Sequence, residues 1–568
     1  MKRPPFAALY TPSGEALTGQ PWPSYPRPRL KREKWLNLNG EWAFAVSAGK
    51  TVPAAFDRAI RVPFPPESLL SGVHEVFSEE MSLFYRRVFR LPAGFSDGRV
   101  LLHFGAVDQV ANVYLNGVHL GEHVGGYQPF TFDITEHLKE ENTLLVRVED
   151  HLSRCILPYG KQCRKRGGMW YTPVSGIWQT VWVEHVPERY IQKLRVDTGV
   201  DFADFILQPP LNGTVTVQTP EGSLEVPLQE GRARVELKEA RLWCPEDPYL
   251  YRCTIRAGED RVGTYFALRT LSIETVEGIP RLCLNARPYF FHGLLDQGYW
   301  SDGLFTPASP EDYERDILAM KDLGFNMLRK HIKIEPEQFY YDCDRLGMVV
   351  FQDFVNNGPY NFLRDTALPT VGWKARSDKN LHRDPKARSA FLTHLEQTVE
   401  QLRNHPCICY WTIFNEGWGQ FDSAALYRHL KALDPTRFVD SASGWFTGGE
   451  SDVVSEHVYF KPFRVRKTKK PLVLSEFGGY ACKIKDHAFN LDKEYGYRHF
   501  EDREAFEAAL LELYESEIVP AVPRGLCAAV YTQLSDVEDE TNGLVSFDRK
   551  VMKVTPARMR SLARKLTL

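Results

Sequence analysis

Two stretches of the chain carry a carboxylate at the end of an apolar run. One is 408-ICYWTIFNEGWGQ-420, which arrives at Asn415 and Glu416; the other is 471-PLVLSEFGG-479, which arrives at Ser475 and Glu476. A lone Glu after a strand is ordinarily a solvated loop residue or a helix N-terminal charge. Two of them, each beside small residues that open space, fit a paired-carboxyl chemistry. Carboxyl groups about 5–5.5 Å apart can cleave a glycosidic bond with retention of configuration. One acts as acid and then base, the other attacks the sugar carbon, and their surroundings must push their pKa values apart. Asn415, beside the first acid, would hydrogen-bond a sugar hydroxyl next to the reacting carbon.

Such residues need a frame that brings distant strand ends together. From about residue 276 short apolar runs alternate with amphipathic stretches: 289-YFFHGLL-295, 324-GFNMLR-329, 347-GMVVFQD-353, 408-ICYWTIFN-415, 437-RFVDS-441, 453-VVSEHVY-459, 471-PLVLSEF-477 and 526-LCAAVYTQ-533. Between the first two, 310-PEDYERDILAMKDL-323 starts with Pro and an acidic turn, as helices do. Eight strands over 276–568 predict a catalytic (β/α)8 TIM barrel, whose function sits at the C-terminal strand ends. Those ends carry Arg329, Lys330 and His331, then Gln352 and Asp353, His457 and Tyr459, and Tyr531 and Gln533. Glu416 and Glu476 then close strands four and seven, on opposite sides of one mouth. No Gly-rich nucleotide motif competes with this reading.

The preceding chain reads as β-sandwiches. Residues 1–185 alternate with period two in runs such as 112-NVYLNG-117 and 178-WQTVWVE-184, with an Asn-Gly hairpin signal at 116–117, and predict a jelly-roll-like sandwich. Residues 186–275 have the size of an immunoglobulin-like sandwich. Of 568 residues 43% are hydrophobic and 25% charged, and the net charge of -3 points to neither nucleic acid nor an anionic membrane as partner. The basic opening MKRPPFAALYTPSGEAL has no apolar stretch of leader length, so a cytoplasmic protein is expected. Ten scattered Cys form no metal spacing, and His151, Cys163 and His457 form no credible ligand set, so no metal or cofactor is expected.

At these residues the sequence resembles glycoside hydrolase family two, which holds β-galactosidases, β-glucuronidases and β-mannosidases. The segments 84-FYRRVF-89, 101-LLHFGAVDQVANVYLNGVHLGEHVGGYQPFTFDIT-135 and 170-WYTPVSGIWQTVWVE-184 resemble its sugar-binding domain; 404-NHPCICYWTIFNEGWG-419 resembles its acid/base signature and 471-PLVLSEFGG-479 its nucleophile segment. The resemblance implies Glu416 as acid/base, Glu476 as nucleophile and Asn415 as a hydroxyl ligand. It also implies that Tyr459 contacts the nucleophile and that Arg329 lies near it, where a cation keeps Glu476 ionised. Members often form homo-oligomers.

Departures from the family pattern bear on the sugar. After strand two the run 329-RKHIKIEP-336 is shortened, although His331 can still reach the sugar. The Asn-x-Lys element that clamps a carboxylate in glucuronidases is missing from 541-TNGLVSFDRK-550, where Leu544 stands at the Lys position; Lys330, Lys333 or Arg164 would have to replace it. By elimination a neutral sugar leads, galactose first, with β-glucuronide, β-galacturonide, β-mannoside, β-galactofuranoside and α-arabinoside open behind it. Asp296 or Trp300 is expected to touch sugar, Trp445 to stack on a sugar face, and Asp353 to serve as a substrate ligand or as the buried partner of Arg329 or His331. A catalytically inactive carbohydrate-binding scaffold is the different-class alternative, and the presence of both Glu416 and Glu476 argues against it.

Overall fold

The computed structural model describes residues 6–95, 97–368, 377–444, 449–566 and 568. Its first layer pair is an antiparallel sandwich. A six-stranded sheet (58–62, 40–48, 81–89, 142–149, 110–115, 118–124 in spatial order) faces a four-stranded one (35–37, 181–186, 99–104, 130–133). Inward residues of both sheets, among them Trp42, Leu102, Val113, Val146 and Val183, form one core. The Asn116-Gly117 turn joins 110–115 to 118–124, where positive φ at both residues suits the tight hairpin. A second sandwich pairs the sheet of 193–198, 202–208 and 232–236 with that of 222–228, 213–219, 251–257 and 260–266 around its own core.

The third unit is a barrel of eight parallel strands: β1 (Phe291–Asp296), β2 (Met327–Lys330), β3 (Val349–Asp353), β4 (Ile408–Thr412), β5 (Phe438–Asp440), β6 (Val454–Val458), β7 (Leu472–Gly478) and β8 (Leu526–Thr532). The hydrogen-bonded ladder runs β5-β4-β3-β2-β1-β8-β7-β6. At the seam between β5 and β6 the Asp452 N–H donates to Val439 O at 2.9 Å. Most strands are apolar and buried on both faces, as parallel strands under a helical shell must be. Helices follow β1 (α1, Glu311–Asp322), β2 (α2, Glu337–Leu346), β3 (α3, Pro385–Leu402), β4 (α4, Ser423–Leu433), β7 (α5, Arg503–Leu513) and β8 (α6, Pro556–Ala563). Among the described residues β5 and β6 are followed by loops instead. Among these same residues no helix is long and apolar enough to cross a membrane.

Candidate active site

Glu476 lies near the end of β7, 5% exposed. Its Oε1 accepts from Arg329 at 3.0 Å and its Oε2 from the Tyr459 hydroxyl at 2.6 Å. Burial alone would raise this carboxyl; the charges of His457 and Arg329, with the Tyr459 hydrogen bond, outweigh it and hold the group down at about 2. Arg329, on β2, is 1% exposed and held by four acceptors. It also donates to Asp353 (3.0 Å), Ser475 O (3.0 Å) and Asn415 Oδ1 (2.9 Å). Since a guanidinium only donates, the oxygen of Asn415 must face it, which turns the amide NH₂ the other way.

Regular pairing of β4 stops at Thr412, but the chain continues beside β5, and Asn415 bridges to Ser443. Glu416 follows with φ of 51°, a strained conformation for this residue type, while its N–H donates to Ser443 O at 2.9 Å. Its carboxylate meets His457 Nδ1 at 2.9 Å. That ring also lies 3.5 Å from Glu476 Oε2 and 3.0 Å from Ser443 Oγ on its Nε2 side. An oxygen of each Glu and the ring nitrogen fall within 4.8 Å of one another, so the carboxyls of β4 and β7 face each other at the mouth.

The hydroxyl chain around His457 fixes its tautomer. Ser475 Oγ donates to Glu456 O (3.3 Å) and Ser443 Oγ donates to Ser475 Oγ (2.9 Å), so Nε2 must carry the proton given to Ser443. Nδ1 then faces the Glu416 carboxyl. Gly444 makes room for this ring, since a Cβ there would meet its Nδ1 at 2.9 Å. These three groups also have the donor atoms of a divalent-cation site, although Arg329 already neutralises Glu476.

The remaining expected residues divide. Tyr459 stacks on Tyr497 at 3.9 Å and hydrogen-bonds Thr532 at 3.0 Å. His331 Nδ1 bonds Asp353 at 2.7 Å, and burial lowers its pKa, which favours the neutral ring. Asp353 is thus the buried partner of both Arg329 and His331. Asp296 pairs with Lys330 at 2.5 Å and accepts from Gly298 N at 2.9 Å. Trp300, 2% exposed, lies with Arg549 4.2 Å from its ring centroid and Tyr313 on its edge, so protein groups cover the ring. Tyr531 is likewise buried, among Phe477, Tyr514 and Gly478. Gln533 is buried and donates to Asn542 (2.8 Å) and Glu540 (3.3 Å). Trp445 lies outside the described residues.

A wall shaped by the sandwich domains follows from the sequence reading, but the loop contacts that form it do not. A loop of the first sandwich, 155–172, lies across the exit of β8. Arg166 pairs with Glu538 (3.2 Å) and Asp539 (3.0 Å), Thr172 N donates to Glu538 at 2.9 Å, and Tyr171 hydrogen-bonds Glu540. Trp170 packs edge-on against Tyr360 and Trp418, each at 4.9 Å.

Comparison with known proteins bears on the family and the fold. The family model "Glycosyl hydrolases family 2, TIM barrel domain" matches residues 279–482, and "Glycosyl hydrolase 2 galactose-binding domain-like" matches residues 73–202. A β-galactosidase of Thermoanaerobacter pseudethanolicus is 26% identical over 68% of this chain and 52% of its own length. A β-glucuronidase of Bacteroides fragilis is 25% identical over 69% of this chain and 59% of its own. The chain thus spans between half and three fifths of these two relatives. Among solved structures, a β-glucuronidase of an uncultured Clostridium sp. superposes with TM-score 0.73 at 20% identity, covering 94% of this chain and 99% of that one. A family 2 β-galacturonidase of Eisenbergiella tayi bound to galacturonate gives 0.67 at 19%, covering 95% and 98%. These structural likenesses speak to the shared fold.

Proposed function

Because the chain belongs to glycosyl hydrolase family 2, we propose that it is a retaining exo-β-glycosidase with Glu476 as nucleophile and Glu416 as acid/base. The observation that carries this reading is the facing pair: two carboxyls with oxygens within 4.8 Å, one held ionised by His457, Arg329 and Tyr459, the other in hydrogen-bond contact with His457. In the first step Glu476 attacks the anomeric carbon while a protonated Glu416 gives its proton to the departing oxygen, leaving a glycosyl ester on Glu476. In the second, Glu416 takes a proton from water, the hydroxide attacks the same carbon, and Glu476 departs. Two inversions retain the β configuration. The amide NH₂ of Asn415 supports a sugar hydroxyl, and His331 offers its Nε2 side to the same sugar.

For the sugar, the missing Asn-x-Lys element favours a neutral galactoside, while the relatives named β-glucuronidase favour an acidic one. The test is a panel of p-nitrophenyl β-galactoside, β-glucuronide, β-galacturonide, β-mannoside, β-glucoside, α-arabinoside and β-galactofuranoside at neutral pH, with Glu476→Gln as blank. Turnover of one sugar, abolished in the variant, is expected. Sugar binding without turnover of any would instead mark an inactive carbohydrate-binding protein.

A further inference from the structure

The sequence offers Lys330, Lys333 and Arg164 as cations for an acidic substrate, and the structure engages all three elsewhere. Lys330 is held by Asp296 (2.5 Å) and Glu335 (2.9 Å) at 1% exposure. Lys333 is held by Gly298 O (2.5 Å), Phe305 O (2.8 Å) and Glu335 (2.8 Å). Arg164 pairs with Glu79 and Asp150, each at 3.2 Å. Lys161 is different. It is half-buried, and among the described residues its ammonium makes no hydrogen bond or ion pair; its one contact is the Trp170 ring, 5.8 Å from the centroid.

The backbone places Lys161 at the mouth. Tyr159 and Gly160 both donate to Asn356 O beyond β3, at 3.0 and 3.4 Å. Gly160 lies against the exit of β2, where a Cβ would meet Ile332 O at 2.8 Å, so only glycine lets this segment approach. Tyr171 N donates to Lys161 O at 3.1 Å, and the same Tyr171 is tied to Glu540. Lys161 therefore stands between His331 on the β2 side and Glu540 on the β8 side, and its charge is felt by both. Each of those residues in turn interacts with Glu476. Among the described residues this half-buried ammonium has no hydrogen-bonded or ion-paired partner, and the carboxyl that feels its charge, Glu540, is already held by Tyr171 and Gln533, so its donors are left for a ligand at the mouth.

Resting on the glycosidase reading above, we infer that Lys161 binds the carboxylate of the terminal sugar, so the substrates are β-linked hexuronides rather than neutral hexosides. A single ammonium beside an indole face suits a planar monoanion better than a phosphate dianion, which calls for several donors. The residue comes from the first sandwich, so that domain contributes specificity as well as a wall.

The test compares kcat/KM for p-nitrophenyl β-galacturonide, β-glucuronide, β-galactoside, β-glucoside and 6-phospho-β-galactoside, in the wild type, Lys161→Gln and Lys161→Arg. One uronide is expected to exceed its neutral counterpart at least about 10-fold. Lys161→Gln should lose roughly 10- to 100-fold on that uronide, mainly through KM, and less than about 3-fold on the neutral sugar, with Lys161→Arg keeping most of the activity. Preference for a neutral or 6-phosphorylated sugar, or equal loss on all substrates in Lys161→Gln, overturns the assignment while leaving the glycosidase reading intact. If no glycoside is hydrolysed, the glycosidase reading falls instead. Calorimetric titration of free glucuronate and galacturonate into Glu476→Gln protein, with and without Lys161→Gln, then judges Lys161 alone. Binding weakened at least about 10-fold by the change upholds its role, and binding that is absent or unchanged overturns it.

Discussion

His457, Arg329 and Tyr459 set the charge state on which the chemistry depends. Glu476 must be ionised to attack, and it is held at about 2 despite its burial, so it should stay ionised through the working range. Removing the hydroxyl in Tyr459→Phe raises its pKa, because a hydrogen bond to the charged form is lost. The acidic limb of kcat/KM is therefore expected to move to higher pH, and kcat to fall about 10- to 100-fold; an unchanged limb would contradict the assignment. Glu416→Ala should lower kcat about 10²- to 10⁴-fold on poor leaving groups. Azide, filling the space left by the carboxyl, should restore turnover and give the β-glycosyl azide, which NMR identifies. Much of this site was legible in the sequence, because Glu416, Glu476, Arg329 and Tyr459 end apolar runs. His457 was visible two residues before Tyr459, on the same face of β6, but one more ring at a strand end gave no sign that it would touch both carboxyls. Trp300 follows β1 in sequence, and nothing local shows that Arg549, far along the chain, lies across its ring.

At the scale of elements, strands and helices followed from periodicity and caps, while the covering loop did not. The 155–172 loop has no regular pattern, and it is held by contacts to residues more than 360 positions away, such as Arg166 with Glu538. Long-range pairing of this kind leaves no local trace. Arg166 is one pin of that loop, and Glu538 beneath it is pushed up to about 7 by burial, with Arg166 among the groups opposing the rise. Arg166→Ala is expected to destabilise the protein by roughly 3 kcal/mol, the usual scale for one lost partner of a buried pair, and to raise KM more than it lowers kcat. Thermal denaturation and steady-state kinetics check both, and a fall in kcat alone would show that the loop does not shape binding.

Across the whole molecule, the first sandwich meets the barrel through buried carboxyls as well as apolar contacts. Phe64 and Leu70 pack on Ala308, and Glu67, which lies between them in sequence, is buried and accepts from the Ser175 N–H at 3.1 Å and from its hydroxyl. Burial pushes Glu67 up to about 8, eased by its Ser175 bonds. In the unfolded chain it would ionise near its ordinary value of 4.5. Folding thus takes up a proton between those two pH values, and the stability this group contributes is present below 4.5 and lost as pH rises toward 8. The limiting slope is about 1.4 kcal/mol per pH unit. Glu67→Gln, neutral at every pH, should flatten the fall of Tm between pH 5 and 8 and leave the variant more stable at the upper end. A slope as steep as the wild type would place the proton uptake elsewhere.

The central claim is that Glu476 forms the glycosyl ester, and the most direct measurement is covalent trapping. The protein is incubated with the 2-deoxy-2-fluoro β-glycoside of the sugar found in the panel, digested, and sequenced by mass spectrometry. A single sugar adduct on the peptide containing 471-PLVLSEFGG-479, located at Glu476 and absent from Glu476→Gln, is expected. An adduct on Glu416, or inversion of configuration with no adduct at all, would contradict it.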